Sequence, residues 1–579
     1  MDIYTLDFET YYAQDYSLSK LTTEEYVRDK RFEVIGLAIK KNDKKTKYVR
    51  DPRLLGRLLS HIDFSQCGIL CHNTMFDGAI LSWRYGIKPK AWFDTMCMAR
   101  ALHGVETSAS LKAVAERYGV GVKGTEVHNA KGKRRADFTE QEALRYGEYA
   151  KNDVDLTYNL FKKMGANFPK QELKLIDLTL RMFIEPTLDL DLGLLEQHLE
   201  DTKERKDKLL RDADIEDKKD LMSNQKFADM LRDLDVEPPM KISPTTGKQT
   251  YAFAKSDEDF KLLQEHEDDK VQSLVAARLG NKSTLEETRT ERFINISKRG
   301  MLPVPVRYYA AHTGRWGGSD KINLQNLPSR GPNAKKLKRA IIAPEDHTIV
   351  EADSSQIEAR VLAWFAEQDD LTAAFAKGED VYVKMASRIY QCDEADVTKD
   401  QRFVGKTTIL GAGYGMGAEK FGTQLKTFGY EVEPHEARRI IQIYRDANFK
   451  ISKVWRDANF MVQQMTNNRQ SAFGRKGIVG VDADKQALIM PSGLSILYDQ
   501  LGVEQTENGL EYTYKTRRGR TKIYGGKVIE NVCQAIARCI IGEQMLRINK
   551  KYKVVLTVHD SIVCCVKDNE VAAAQAYVE

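Results

Sequence analysis

Long apolar runs are missing from this chain. None approaches the roughly 20 residues needed to cross a bilayer, which excludes a predicted membrane span. The first ten residues, Met1 to Thr10, carry acids where a secretory leader needs a basic and then an apolar stretch, so no targeting signal is read. Paired cysteine motifs are also lacking. The eight cysteines are scattered, and Cys67-x3-Cys71-His72 has no second ligand pair to make a zinc site. They read as reduced structural thiols in a cytoplasm-like compartment. Internal repeats and low-complexity tails are absent. A net charge of +5 is too small to argue for a nucleic-acid partner. The basic clusters Lys131-Gly-Lys-Arg-Arg135, Lys335-Lys-Leu-Lys-Arg339 and Arg517-Arg-Gly-Arg520, taken singly, are ordinary solvated loops.

What is present is a mixed pattern of α and β segments, long enough at 579 residues for several domains. Residues 2–8, 31–40 and 68–73 read as strands, followed by a helix from near Phe76. Thr139 and Glu142 form a capping-box signature for a helix running to about Lys163. Residues 170–300 read as mostly helical, with polar breaks at Glu237-Pro-Pro-Met and Ser243-Pro-Thr-Thr-Gly247. From Met301 to Ala352, short apolar runs alternate with turn residues and predict a strand-rich base. Helical signals return from Asp353 to about Phe473. After further β-type segments comes a helix at 528–548. The chain then forms an apolar hairpin, 553–558 and 562–566, with His559-Asp560-Ser561 at its turn.

Three constellations carry chemistry. Arg402, Lys406, Leu410 and Tyr414 are spaced by four, and at about 100° per residue they share one side of a helix. Two cations, an apolar rung and an aromatic rung suit a polyphosphate at one end and a flat base at the other. In the front part, Asp7 and Glu9 are two apart on a strand and share a face. Asp77 follows another strand, and Tyr149 and Asp153 are one helical turn apart. Four converging carboxylates would repel one another unless divalent cations sat among them, and oxygen donors suit Mg2+ or Mn2+. Tyr149 could orient an attacking water. Asp155, two residues on from Asp153, points elsewhere. In the back part, Asp353 ends one strand and Asp560 sits at the hairpin turn. Two acids facing a basic helix suit nucleotidyl transfer.

These residues carry two resemblances. Asp7-Phe-Glu9, Asn73-x3-Asp77 and Tyr149-x3-Asp153 resemble the three motifs of proofreading 3′→5′ exonucleases, over about residues 1–165. That implies a ribonuclease H-like fold. Asp353-Ser-Ser-Gln-Ile-Glu-Ala-Arg360, Arg402 to Gly415 and Val558-His-Asp-Ser561 resemble the motifs of family A DNA polymerases, the DNA polymerase I-like enzymes. So do Thr313-Gly-Arg-Trp-Gly-Gly-Ser319 and Asn323-Leu-Gln-Asn-Leu-Pro328. The whole is similar to an α/β multidomain protein in which a right-hand polymerase of palm, fingers and thumb follows the exonuclease.

The resemblance implies the following assignments. The exonuclease would occupy 1–165, the thumb 166–300, the palm 301–365 and 521–579, and the fingers 366–520. Each active site would hold two Mg2+ or Mn2+ ions. Arg402, Lys406, Leu410, Tyr414, Gln356, Glu358 and Tyr382 would face the dNTP, with Glu358 crowding the sugar 2′ position. Arg315, Gln534, His559, Asn326 and Lys282 would contact primer–template DNA, with Ser283 beside Lys282. Leu410 stands in a usually aromatic slot, and Tyr382 where many relatives place a phosphate-contacting His. Ser354 and Ser561 replace a Tyr and a Glu that the family often has. No 5′-nuclease domain is expected, and the compact plan looks like a bacteriophage replicative polymerase in the host cytoplasm. A helicase-primase or a processivity factor would be its protein partner. The C-terminus stops in a helix-like stretch where relatives run on. The rivals are a single-subunit RNA polymerase, against which Glu358 and the exonuclease motifs argue, and a non-catalytic scaffold, which needs none of the acids.

Overall fold

The computed structural model describes the chain except residues 244–245, 256, 328–333 and 508. Pro328 and part of the 243–247 break therefore lie outside the described residues. The chain forms two compact units. One contains Met1–Leu188, Pro303–Asn326 and Ala343–Glu579, and the other Asp189–Leu302 and Leu327–Ile342.

The front of the first unit is built on a five-stranded sheet. Its strands are β1 (Ile3–Thr10), β2 (Val34–Lys41), β3 (Lys47–Val49), β4 (Gly68–Cys71) and β5 (Ala91–Asp94), in the order β3-β2-β1-β4-β5. β1 runs antiparallel to β2 and parallel to β4. The sequence signalled the three inner strands; β3 and β5 are too short for a period-2 pattern to register. β1 alternates, so buried Leu6 and Phe8 share one face while Asp7 and Glu9 share the other. Three helices matter here: α1 (Thr74–Tyr85), α2 (Thr95–His103) and α3 (Glu140–Gly165). The predicted capping box starts α3: Glu142 N–H donates to Thr139 Oγ1, and Thr139 N–H to Glu142 Oε2. Ala150 and Val154 of α3 pack on Ala38 of β2, and this puts Tyr149 and Asp153 over the acid-bearing face.

A further helix, α4 (Lys170–Ile184), belongs to the first unit. The break between the two compact units thus falls at 189. Trp92 explains why: its backbone N–H donates to Asp177 and its indole N–H to Glu185, fastening α4 and the residue after it to β5.

Behind it, β6 (His347–Asp353) reaches a helical cluster. The cluster includes α5 (Ile357–Phe365), α6 (Val381–Tyr390) and α7 (Lys399–Ala412), and its core runs from Ala359 to Tyr444. Gly405 lets α7 approach α6 closely, because a Cβ there would collide with the Tyr382 carbonyl. After a four-stranded sheet within 471–497 come β7 (Gly502–Thr506), β8 (Gly509–Thr516) and β9 (Gly519–Lys522), then α8 (Gly525–Ile548). The hairpin β10 (Lys553–Val558) and β11 (Ser561–Lys567) pairs with β6 in the order β6-β11-β10, with Asp353 opposite Ser561. The helix-like C-terminal stretch is helical over Val571–Val578.

The strand-rich base expected for 301–352 is mostly irregular. Besides β6 it holds only two-residue strands at Val306–Arg307, Gly317–Gly318 and Ile341–Ile342 among the described residues. Left-handed backbone at Tyr309, Gly314, Asp320 and Lys321 interrupts any longer pairing. The second unit is helical, as expected, with a small hairpin, Met240–Ile242 and Gln249–Tyr251, and a short pairing of Asp189–Leu190 with Ile341–Ile342. Its core gathers Phe227, Phe253 and Phe260.

Candidate functional site

The front site assembles from four separate segments. Phe8 N–H of β1 donates to Asp77 Oδ1 at 2.9 Å, which docks the first turn of α1 onto β1 and buries Asp77 near Asp7. Tyr146 OH of α3 donates to Glu9 Oε2 at 2.5 Å. One turn on, Tyr149 OH accepts from Lys123 Nζ at 2.8 Å, and the same ammonium is paired with Asp153. Asp155 is turned away onto Lys40 and Thr46, as its two-residue offset from Asp153 requires.

The electrostatics follow from burial. Asp7 is held well above the carboxylate range by desolvation, then by the charges of Glu9 and Asp153. Glu9 is pushed up to about 7 by burial, although the Tyr146 hydrogen bond works the other way. Asp77 is raised by burial and then by Asp7, and Asp153 by burial against the pull of Lys123. Asp153 Oδ1 is buried with no hydrogen-bond partner. Among the described residues, no three His, Cys, Asp or Glu side chains are closed into a ready ligand cage. Lys123 supplies the nearby positive charge. Four crowded carboxyls with one unsatisfied oxygen and a deficit of positive charge are a donor set that fits a hard divalent cation.

Lys123 and Tyr146 escaped the sequence reading. Tyr146 was findable, since it lies three residues before Tyr149 on the same helical face. Lys123 sits in an irregular segment, Gly121-Val-Lys-Gly124, where no periodicity marks it.

The back site is organised by the β6–β11 pair. Ser561 Oγ donates to Asp353 Oδ2 at 2.9 Å, and Ser354 N–H to the Asp560 carbonyl at 3.0 Å. Asp560 is raised by burial and then by the charge of Asp353, so the two acids face one environment. His559, at φ 55°, makes the tight turn and is exposed. Gln356, also left-handed, opens α5 and hydrogen-bonds Tyr382. The Tyr382 ring lies under Arg402 and Lys406, 5.3 and 5.9 Å from its centroid. Arg402 Nε donates to Asp380 Oδ2 at 2.7 Å. Glu358 is raised by burial; it accepts from Arg315 at 3.2 Å and from Tyr414 OH at 3.4 Å. Gln534 accepts from Thr313 Oγ1 at 3.4 Å and donates to Glu530.

The four-residue ladder is helical only through its third rung. α7 ends at Ala412, and Tyr414 lies in the turn beyond, with its N–H on the Gly411 carbonyl. Gly411, Gly413 and Gly415 weaken the helix at that end. The turn is pinned by Gly526, where a Cβ would strike the Tyr414 carbonyl. Leu410 is 41% exposed, an apolar rung open to solvent. Asn326 ends a 3-10 turn whose Gln325 donates to the Thr557 carbonyl of β10. Lys282 belongs to the second unit, where its amine donates to the Phe253 carbonyl.

Residues 193–579 match the family model described as DNA polymerase family A, and the chain belongs to that family. Residues 29–168 match a 3′-5′ exonuclease model. That match begins after Asp7 and Glu9, whose place in the cluster rests on the geometry of β1.

Among similar proteins is DNA polymerase I of Pseudomonas aeruginosa, 28% identical over 373 residues, covering 61% of this chain and 39% of that one. The DNA polymerase of Bacillus phage SP02 is 24% identical over 361 residues, covering 54% of each. The thermostable DNA polymerase I of Thermus aquaticus is 35% identical over 147 residues, covering 25% of this chain and 17% of that one. The chain thus spans about half or less of the length of these relatives. A solved structure of the POL domain of Pol1 from M. smegmatis, in complex with DNA primer-template and dNTP, shares the fold. Its TM-score is 0.69 at 19% identity, over all of this chain and 91% of that one.

Proposed function

We propose that this chain is a template-directed DNA polymerase with a proofreading 3′→5′ exonuclease, the two reactions run by separate sites. The observation that carries the reading is that Gln356, three residues after Asp353, hydrogen-bonds Tyr382, whose ring lies under Arg402 and Lys406. It ties the segment that bears the carboxylate to two cations that suit a polyphosphate. Asp353 and Asp560 would hold divalent ions in the back site, and Asp7, Glu9, Asp77 and Asp153 in the front site. When bound, such ions supply Lewis-acid charge to attacking and leaving oxygens.

The chain's own residues do the rest. Arg402 offers a planar fork and Lys406 a compact charge to the β- and γ-phosphates. Arg402 must exchange Asp380 for phosphate when nucleotide enters. Glu358, held by Arg315 and Tyr414, presents a fixed carboxylate that would exclude a 2′-hydroxyl, which argues against an RNA polymerase. Leu410 and Tyr414 would pack on sugar and base. Arg315, Gln534, Asn326 and His559 would touch primer–template, and Lys282 the duplex from a thumb within 189–302. Tyr149 would orient the water that attacks a frayed 3′ end.

The likeness to a phage polymerase supports a phage replicative role in a host cytoplasm, alongside a helicase-primase or processivity factor. Among the described residues no helix is long and apolar enough to cross a membrane. Primer extension from matched and mispaired ends tests the two-site reading. Asp353→Ala should abolish synthesis yet still degrade primer, and Asp7→Ala should do the reverse. Loss of both activities together in either folded variant would overturn it.

A further inference from the structure

Arg517 and Arg518 of the basic run Arg517-Arg-Gly-Arg520, without a role in either site, line a cavity of about 910 Å³ in the first unit. The cavity lies between the loop 104–110 that follows α2 and the strand Val306–Arg307, with the β8–β9 turn across it. Four arginines reach it: Arg100, Arg307, Arg517 and Arg518. Arg517 is structural. Its guanidinium donates to the carbonyls of Glu106 (3.0 Å) and Thr107 (2.8 Å), bolting the turn to the loop. Glu106, the one acid on the wall, has a carboxylate oxygen accepting from the Arg517 backbone N–H at 2.8 Å. Arg100 has only a weak bond to Met96 Sδ. The guanidiniums of Arg307 and Arg518 have no hydrogen bond or ion pair among the described residues. Arg307 is held below its ordinary range by burial and then by the like charge of Arg100. Gathering like charges in a concavity is unfavourable unless a polyanion neutralises them.

The two walls say which polyanion. On one side, the Ala109 carbonyl accepts from His72 Nε2 at 2.9 Å, and His72 directly follows β4, the strand that pairs with acid-bearing β1. On the other, the Ala310 N–H donates to the Arg315 carbonyl, and Arg315 grips Glu358 of the polymerase site. The cavity therefore lies between a loop of the exonuclease part and backbone that leads to Arg315, with segments of both parts in its wall.

We propose that this arginine-lined cavity binds the phosphodiester backbone of an unpaired primer 3′ segment as it passes between the polymerase and exonuclease sites. Serine hydroxyls at 108 and 110 and the exposed guanidiniums suit sequence-independent phosphate contacts. This rests on the two-site reading above.

The test uses the full chain and the double variant Arg307→Ala/Arg518→Ala, whose side chains line the cavity and lie outside the buried core. Binding of a fluorescent primer–template with a short unpaired 3′ tail is measured by anisotropy in EDTA. It should weaken roughly tenfold. Its logarithmic salt slope should fall by about 1.4, the release expected for two single-strand phosphate contacts. Arg307→Lys/Arg518→Lys should restore most of both. Extension of a matched primer should be unchanged, as should hydrolysis of the p-nitrophenyl ester of thymidine 5′-monophosphate, which needs no strand. An unchanged salt slope would overturn the proposal. So would arginine-dependent binding of inorganic tripolyphosphate with no effect on the tailed primer, which would assign the cavity to free polyphosphate. Failure of the wild-type chain to hydrolyse the ester would instead count against the exonuclease reading, leaving the binding measurement to judge the cavity.

Discussion

At the residue scale, the front cluster is governed by one cation that no motif contains. Lys123 neutralises Asp153 and touches Tyr149, where a divalent ion would compete for the same oxygens. Lys123→Ala should therefore tighten Mn2+ binding by the full chain, read by paramagnetic resonance titration, by of order tenfold, equivalent to about 1.4 kcal/mol. The metal-free variant should melt earlier, because the buried acids lose their nearest positive charge. Mn2+ affinity that is unchanged or weaker would show that Lys123 supports the site and does not compete for it. Leu410 poses the matching question in the back site. Its open rung on α7 offers no hydroxyl to a sugar. Leu410→Tyr should raise dideoxynucleotide incorporation roughly fivefold, the worth of about one hydrogen bond. Unchanged selectivity in a competition assay would mean that the rung does not face the sugar.

At the element scale, His72 pins β4 to α2 and to the loop beyond it. Nε2 donates to the Ala109 carbonyl, which can only accept, so the neutral ring takes the Thr95 hydroxyl at Nδ1. Burial holds this imidazole down at about 4, from an ordinary 6.5. A depressed histidine binds fewer protons in the folded state than in the unfolded one. The stability it contributes is complete above pH 6.5 and is lost as pH falls towards about 4. His72→Asn should flatten the fall in melting temperature across that window relative to wild type. Two parallel pH profiles would refute the assignment. The same scale explains what local patterns reveal. The capping box of α3 was legible because its partners are three residues apart. The short strands β3 and β5 were not, because their existence depends on pairing with β2 and β4, Leu37 with Val49 and Ile69 with Trp92, and not on any pattern of their own.

At the scale of the whole molecule, α4 joins the front sheet to the polymerase part of the first unit. On one side it is bonded through Asp177 to Trp92. On the other, Glu172 is gripped by both terminal nitrogens of Arg538 from α8 and accepts from Tyr308 OH at 2.6 Å. Arg538 also donates to the Gly314 carbonyl and lies over the Trp316 ring, so the pair is fully enclosed and fully bonded. Removing one partner of a buried pair strands the other charge, which typically costs about 3–5 kcal/mol. Glu172→Ala should lower the first thermal transition markedly. The double variant Glu172→Gln/Arg538→Met should be closer to wild type than either Glu172→Ala or Arg538→Met. If all three melt alike, the pair carries no such stability.

The sequence by itself determined the acids, their order along the chain and the elements that present them. Side-chain direction in strands and helices follows from local spacing alone, so Asp7 with Glu9, Tyr149 with Asp153 and Arg402 with Lys406 and Leu410 could be paired on paper. Only the tertiary structure decided what stands between these groups. Lys123 among the acids, Asp380 on Arg402, the docking of α4 on Trp92 and the arginines drawn from α2, Val306–Arg307 and β8–β9 all join residues distant in sequence. Their proximity is set by how sheets and helices pack, and no local periodicity encodes it.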